Sequence, residues 1–193
     1  MIRFSSCGAD ECEEHALAER DTCRHHCGDW ERFLVDAAAI LRGRKRLEHL
    51  NFAGVVLEAL DLSGRELHGC SFSHASLTGV RLEHSELHQV WLQFASISDL
   101  AAQSSSMTGC VYAGSNITQA DFRQSELQRN SFVGANCTDV GFDGSDLSAS
   151  RFSAAVLERV SLRDCNLHQV HFQRASLNAC NMDESSVQDA VFG

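Results

Sequence analysis

Every fifth residue from Leu47 to Phe192 is a candidate for burial, and the phase never slips over thirty consecutive units. Typical units carry Leu or Phe at the centre and a small residue two before it, as in ASLTG (75–79), ADFRQ (120–124), SDLSA (145–149) and ASLNA (175–179). A period of five matches neither the 3.6 of a helix nor the 2.0 of a strand. Each unit must therefore contain a turn, so that the centre and the residue two before it both point inward.

A second period lies on top of the first. The centres Phe52, Phe72, Leu92, Tyr112, Phe132, Phe152, Phe172 and Phe192 are twenty residues apart and mostly aromatic. The column Leu47, Leu67, Leu87, Met107, Leu127, Leu147, Leu167 and Val187 has no aromatic. A third column runs Leu57, Leu77, Ile97, Ile117, Cys137, Leu157, Leu177, and a fourth Leu62, Leu82, Ala102, Phe122, Phe142, Leu162, Met182. Columns this distinct require four units per coil. At the inner positions Ser85, Ser105, Ser125 and Ser145 form one stack and Ala75, Ala95, Ala135, Ala155 and Ala175 another. The buried hydroxyls must find backbone partners. Ala102, where a large centre is expected, predicts a pinched core or a local cavity.

These units resemble the pentapeptide-repeat family, whose loose consensus is A(D/N)Lxx, over residues 45–193. The resemblance implies an all-β solenoid, a right-handed four-sided parallel β-helix. At about 4.8 Å between coils, about 7.5 coils make a rod about 36 Å long. The absence of proline suits a parallel ladder, which needs its N–H donors.

The chain carries a formal charge of −10, and residues 47–193 hold 17 acidic and 8 basic residues. An acidic solenoid argues against direct nucleic-acid binding, which needs Lys and Arg. No apolar run reaches the roughly 18 residues of a membrane span, and the first residues, MIRFSSCGADEC, lack a signal-peptide core. A cytoplasmic protein is the expectation.

Cysteine use divides in two. Cys70, Cys110, Cys137, Cys165 and Cys180 fall on inward repeat positions and read as core thiols. Cys7, Cys12, Cys23 and Cys27 crowd the segment CGADECEEHALAERDTCRHHC (7–27). The set Cys7, Cys12, Cys23 and His26 offers three thiolates and an imidazole to a structural zinc ion, with His15, His25 and Cys27 as alternative ligands. A segment this short has too little core to fold without such a clamp.

A helix is expected to follow, capped by Asp29, with Trp30, Phe33, Leu34, Ala37, Ile40 and Leu41 on one face and Gly43 as the terminating C′ residue. Its apolar face would cover the open first coil, as solenoids require. The basic run Arg42, Arg44, Lys45, Arg46 reads as a solvated helix end rather than a nucleic-acid patch. The expected layout is a Cys/His module (1–28), a capping helix (29–44) and the β-helix (45–193).

On the surface, Glu66, Glu86, Glu126 and Asp146 share one ladder, and His68, His88 and His168 another. A smooth face offers no concave site to shift their pKa values, and no nucleophile, Walker or dinucleotide motif occurs, so the chain does not read as an enzyme. Val187, Val191 and Phe192 keep the repeat register to the last coil, and a two-fold dimer covering that coil is expected. The first functional expectation is a protein-interaction scaffold. The second comes from the resemblance: the family's quinolone-resistance proteins mimic a DNA duplex and bind DNA gyrase. A third is a nucleic-acid role through the Cys/His module.

Overall fold

The five-residue register folds into four walls, each a parallel ladder between residues twenty apart. A computed structural model describes residues 4–193. Arg46, Glu66, Glu86, Ser106, Glu126, Asp146, Asn166 and Ser186 pair in succession along the first wall. The second pairs Asn51, Ser71, Trp91, Val111, Ser131, Arg151, His171 and Val191. The third is a seven-stranded parallel sheet whose strands span Val56–Glu58 to Ser176–Asn178. The fourth runs from Asp61 to Asn181. Residues flanking each centre point outward, and the centre points in, because side chains alternate along extended backbone.

Each corner has the same backbone solution. All 29 positions from His49 to Asp189, two residues after a centre, adopt positive φ, and only eight of them are glycine. Left-handed backbone costs a non-glycine residue roughly 1–2 kcal/mol. The compensation is that every coil bonds to the next through its backbone, for example Phe72 N–H to the Trp91 carbonyl at 2.7 Å and Ser71 N–H to the Leu50 carbonyl at 3.0 Å.

The core is a set of stacks. Phe52 stacks on Phe72 at 5.2 Å between ring centroids, and Tyr112, Phe132, Phe152, Phe172 and Phe192 continue the second wall at 4.6–5.3 Å. Phe122 and Phe142 stack opposite them on the fourth wall at 5.3 Å, meeting Tyr112 and Phe132 edge-on. Where Phe132 and Phe142 share one coil, the third wall carries the small Cys137, fully buried. Ala102 is fully buried. A void of about 20 Å³ lies among Leu62, Leu67, Phe72, Leu77, Leu82 and Leu92, towards the N-terminal coils. In the coil of Ala102 and Met107 sits the chain's one tyrosine, Tyr112, whose buried hydroxyl approaches the Met107 sulfur at 3.4 Å.

The serine stack finds the partners it needs. Ser85, Ser105, Ser125 and Ser145 donate to the carbonyls of Leu62, Leu82, Ala102 and Phe122 at 2.6–3.0 Å. Ser105, Ser125 and Ser145 also accept from the backbone N–H of the serine one coil before. Cysteine occupies the same niche. The thiols of Cys70, Cys110 and Cys165 donate to Leu47, Leu87 and Phe142 carbonyls. Burial pushes Cys110 and Cys137 up to about 12 and Cys70 and Cys165 up to about 11. Cys180 differs from expectation: it lies in the outermost full coil and is only half-buried.

The helix α1 (Trp30–Gly43) begins where expected, with the Asp29 carboxylate accepting from Arg32 N–H at 2.9 Å. Phe33, Ala37 and Leu41 are buried, and Trp30, Leu34 and Ile40 pack beside them on the same core as Leu47 and Phe52. Gly43 is the last helical residue rather than a left-handed terminator. Arg44 (φ −119°, ψ 133°) leads straight into the first strand, so no reversal is needed. Three of the four residues of the basic run pair locally. Arg44 pairs with Glu19, Lys45 with Glu66 at 3.4 Å, and Arg46 with Glu48 at 2.6 Å. No helix of the described residues is long and apolar enough to cross a membrane.

Candidate metal centre

The first described segment doubles back on itself before α1. Ser6 pairs antiparallel with His15, the Cys7 N–H donates to the Glu14 carbonyl at 2.8 Å, and the Cys12 N–H closes a turn onto Ala9. Gly8 brings its N–H to the Asp21 carbonyl at 2.7 Å, and a Cβ there would sit 3.3 Å from that oxygen. A short 3₁₀ turn, Arg24–His26, then swings His26 back over Cys23.

These turns bring Cys7, Cys12, Cys23 and His26 together, with their ligand atoms all within 4.8 Å of one another. The Cys7 and Cys23 sulfurs lie 3.5 and 3.4 Å from His26 Nδ1, and the Cys12 and Cys23 sulfurs are 3.8 Å apart. A tetrahedral ion with metal–S of about 2.3 Å and metal–N of about 2.0–2.1 Å has S···S edges of about 3.8 Å and S···N edges of about 3.5 Å. These three spacings match those edges. They are far beyond the roughly 2.05 Å of a disulfide.

Electrostatics prepare the site unevenly. The N–H groups of Ala9 and Cys23 point at the Cys7 sulfur and, with His26, hold its thiol down to about 6. The Glu14 N–H pulls Cys12 down, but burial and the neighbouring thiols of Cys7 and Cys23 outweigh it and raise it. One thiolate is thus ready to bind, while Cys12, crowded by its neighbours, needs a nearby cation to ionise.

The remaining candidates stand apart from the cluster. His15 packs on the Phe4 ring at 5.4 Å, His25 is exposed, and the Cys27 thiol turns to the Asp29 carbonyl at 3.5 Å. Two features held no sequence signal as site residues. Asn51, buried on the second wall, donates to the His15 and Ala16 carbonyls at 3.2 and 3.1 Å and seats the module on the first coil. Phe4 meets Trp91 edge-on at 5.2 Å, two coils further along.

The acidic ladder is discontinuous. Glu66 and Glu86 are register partners, but Ser106 separates Glu86 from Glu126, and Lys45 and Arg46 neutralise Glu66. Asp146 is held below the usual carboxylate range; burial opposes this, but bonds from Gln128 and Ser148 outweigh it. The apolar residues Val187, Val191 and Phe192 are 45%, 38% and 47% exposed.

Sequence comparison settles the family. The profile described as "Pentapeptide repeats" matches in eight copies at residues 51–89, 113–148 and 150–189, more than half of the chain. The chain belongs to the pentapeptide-repeat family. The unmatched stretch inside this pentapeptide-repeat array contains Ala102, Met107 and Tyr112, three of its less typical centres. No curated protein sequence matches the chain. Among solved structures it is similar to QnrB1, a plasmid-mediated fluoroquinolone resistance protein (17% identity, 77% of this chain and 82% of that one, TM-score 0.39). It is also similar to HetL, involved in heterocyst differentiation regulation in the cyanobacterium Nostoc sp. strain PCC 7120 (18%, 85% and 97%, TM-score 0.28). A thylakoid-lumen pentapeptide repeat protein of Arabidopsis thaliana is a third (15%, 67% and 72%, TM-score 0.30).

Proposed function

We propose that this protein is a non-catalytic interaction scaffold, a rigid rod whose N-terminal module is closed by a structural zinc ion on Cys7, Cys12, Cys23 and His26. The observation that carries the scaffold reading is the unbroken twenty-residue pairing of all four walls from Arg46 to Val191. Rigid, evenly spaced walls present many side chains at once to a partner, and they bring few of them to converge on a reacting atom. The zinc reading rests on the tetrahedral edges above. Four protein ligands fill the coordination shell, so the ion supplies folding free energy to the module.

Mimicry of DNA towards gyrase is the poorer fit. A duplex 36 Å long carries roughly 21 charges at one per about 1.7 Å. Residues 47–193 have a net charge of −9, and the one acidic ladder is broken at Ser106. The direct test is crosslinking of the purified full chain in lysate, read by mass spectrometry alongside a gyrase supercoiling assay. A recurrent protein partner with supercoiling unaffected at micromolar protein is expected. Inhibition of supercoiling, or protection of gyrase from a quinolone, would reverse the order of the two readings.

A further inference from the structure

One corner of the rod departs from all the others. Its left-handed positions are Gly54, His74, Phe94 and Gly114 in successive coils. Phe94 adopts φ 56° and is 62% exposed, two unfavourable conditions for a large aromatic side chain. Its ring stacks on His74 at 5.2 Å and lies across Gly114, where a Cβ would come within 2.6 Å of it. Backbone strain combined with an exposed aromatic is the pattern of a residue kept for contact rather than for folding.

Beside this stack the Cys/His module leaves a cleft of about 240 Å³. Arg24, His15, His25 and one carboxylate, Glu14, line one side, and Asn51, Ser73 and His74 the other. Arg24 is pinned there: its guanidinium lies 5.0 Å from the Trp30 ring centroid and occupies the space a side chain at Gly54 would need. It has no carboxylate partner among the described residues, unlike Arg20, Arg32, Arg44 and Arg46 nearby, which all do. An exposed guanidinium held over Trp30 without a carboxylate partner, next to three imidazoles and an exposed aromatic stack, matches a carboxylate adjoining an apolar side chain.

We infer that this corner is a docking site for an acidic peptide segment of a partner protein, its carboxylate bound by Arg24 in the cleft and its apolar side chain laid on the His74–Phe94 stack. The site rests on the zinc reading, because one of its walls belongs to the module. The rod as a whole is acidic, so the unpaired Arg24 guanidinium, beside Glu14, is the charge that orients such a partner here.

The test uses zinc-loaded full-length protein and a short fluorescein-labelled peptide of aspartates around one phenylalanine, with a lysine-for-aspartate copy as comparison. Fluorescence anisotropy should show the acidic peptide binding and the lysine peptide failing to. Arg24→Gln and Phe94→Ser should each weaken binding by about tenfold or more, while Val156→Ser on the third wall changes nothing. Metal content and melting temperature are read on the same samples, so a failure of zinc loading is seen separately from a failure of docking. Equal binding of both peptides, no binding by zinc-loaded protein, or full binding by Phe94→Ser would overturn the inference. So would a Phe94→Ser effect confined to self-association, or preference for a single-stranded oligonucleotide.

Discussion

The Asn130 side-chain amide donates to the Met107 carbonyl at 2.7 Å, across twenty-three residues of sequence and one coil of structure. Its oxygen accepts from the Cys110 N–H at 2.7 Å, and its own N–H is taken by the Ser150 hydroxyl at 3.0 Å. This is where the first wall changes construction. Three-residue strands run to Ser106–Thr108, and tight turns replace them beyond, as in the Ser150 N–H to Leu147 carbonyl bond. Asn130 and Ser150 collect the polar groups this change leaves inside. Asn130→Leu, nearly isosteric but apolar, should strand a buried donor and a buried acceptor and lower stability by about 2–4 kcal/mol. Urea denaturation measures this, and a loss within error would refute the role.

Zinc binding predicts a specific thiol count. Purified protein should contain about one zinc per chain by atomic absorption, and Cys7→Ser combined with Cys12→Ser should abolish it while preserving the far-ultraviolet β signal. In the native protein at pH 8 iodoacetamide should reach Cys27 readily and leave Cys70, Cys110, Cys137 and Cys165 untouched, since their burial both blocks access and suppresses the thiolate. A chelator should add the three ligand cysteines to the reactive set and no more.

The coil holding Phe132 and Phe142 should reject added volume at Cys137. Cys137→Leu restores the residue usual for that column yet is expected to destabilise by about 1–3 kcal/mol through overpacking. Cys137→Ala should be milder. Thermal melts of the two variants give the order, and the reverse order would show that the coil has room to spare.

Acid should weaken one cross-coil bond before the fold is lost. The Arg159 guanidinium grips Asp139 through bonds of 2.7 and 3.0 Å and holds its carboxyl below the usual carboxylate range. A depressed folded-state value contributes stability above the unfolded pKa of about 3.9, and that contribution disappears as pH falls through the lower folded value. Arg159→Gln should move the Asp139 titration upward in a carboxyl-detected NMR titration. An unmoved titration would show the pair to be incidental.

Val187, Val191 and Phe192 are proposed to meet a second copy. Sedimentation velocity at micromolar concentration should give a dimer, and Phe192→Asp a monomer. A monomeric wild type would end the idea.

Much of this was legible in the chain because repetition carries its own signal. The phase from Leu47 to Phe192 identifies the walls, and the spacing of Cys7, Cys12, Cys23 and His26 picks out the residues that the fold gathers. What stayed hidden is contact between unlike parts. Asn51 gripping Ala16, Arg24 against Gly54 and the wall change near Asn130 are single long-range events, and no period announces them. The left-handed corners were equally silent, because His, Gln, Asp and Arg hold positions where sequence reading looks for glycine. Gly43 misled for the converse reason: a glycine after a helical run usually signals a reversal, and here the chain simply straightens. Phe94 did leave a trace, since a large apolar residue outside the five-residue phase had no place in the core.

Interchangeable corners also make the rod a structure with discrete addresses. Removing twenty residues would shorten it by about 4.8 Å and leave every later side chain facing as before. Removing five would instead hand each later residue to the neighbouring wall, a quarter turn away, with its length almost unchanged. Reach and direction are therefore separable variables in this chain, and changes in units of five or twenty are the ones its backbone can absorb.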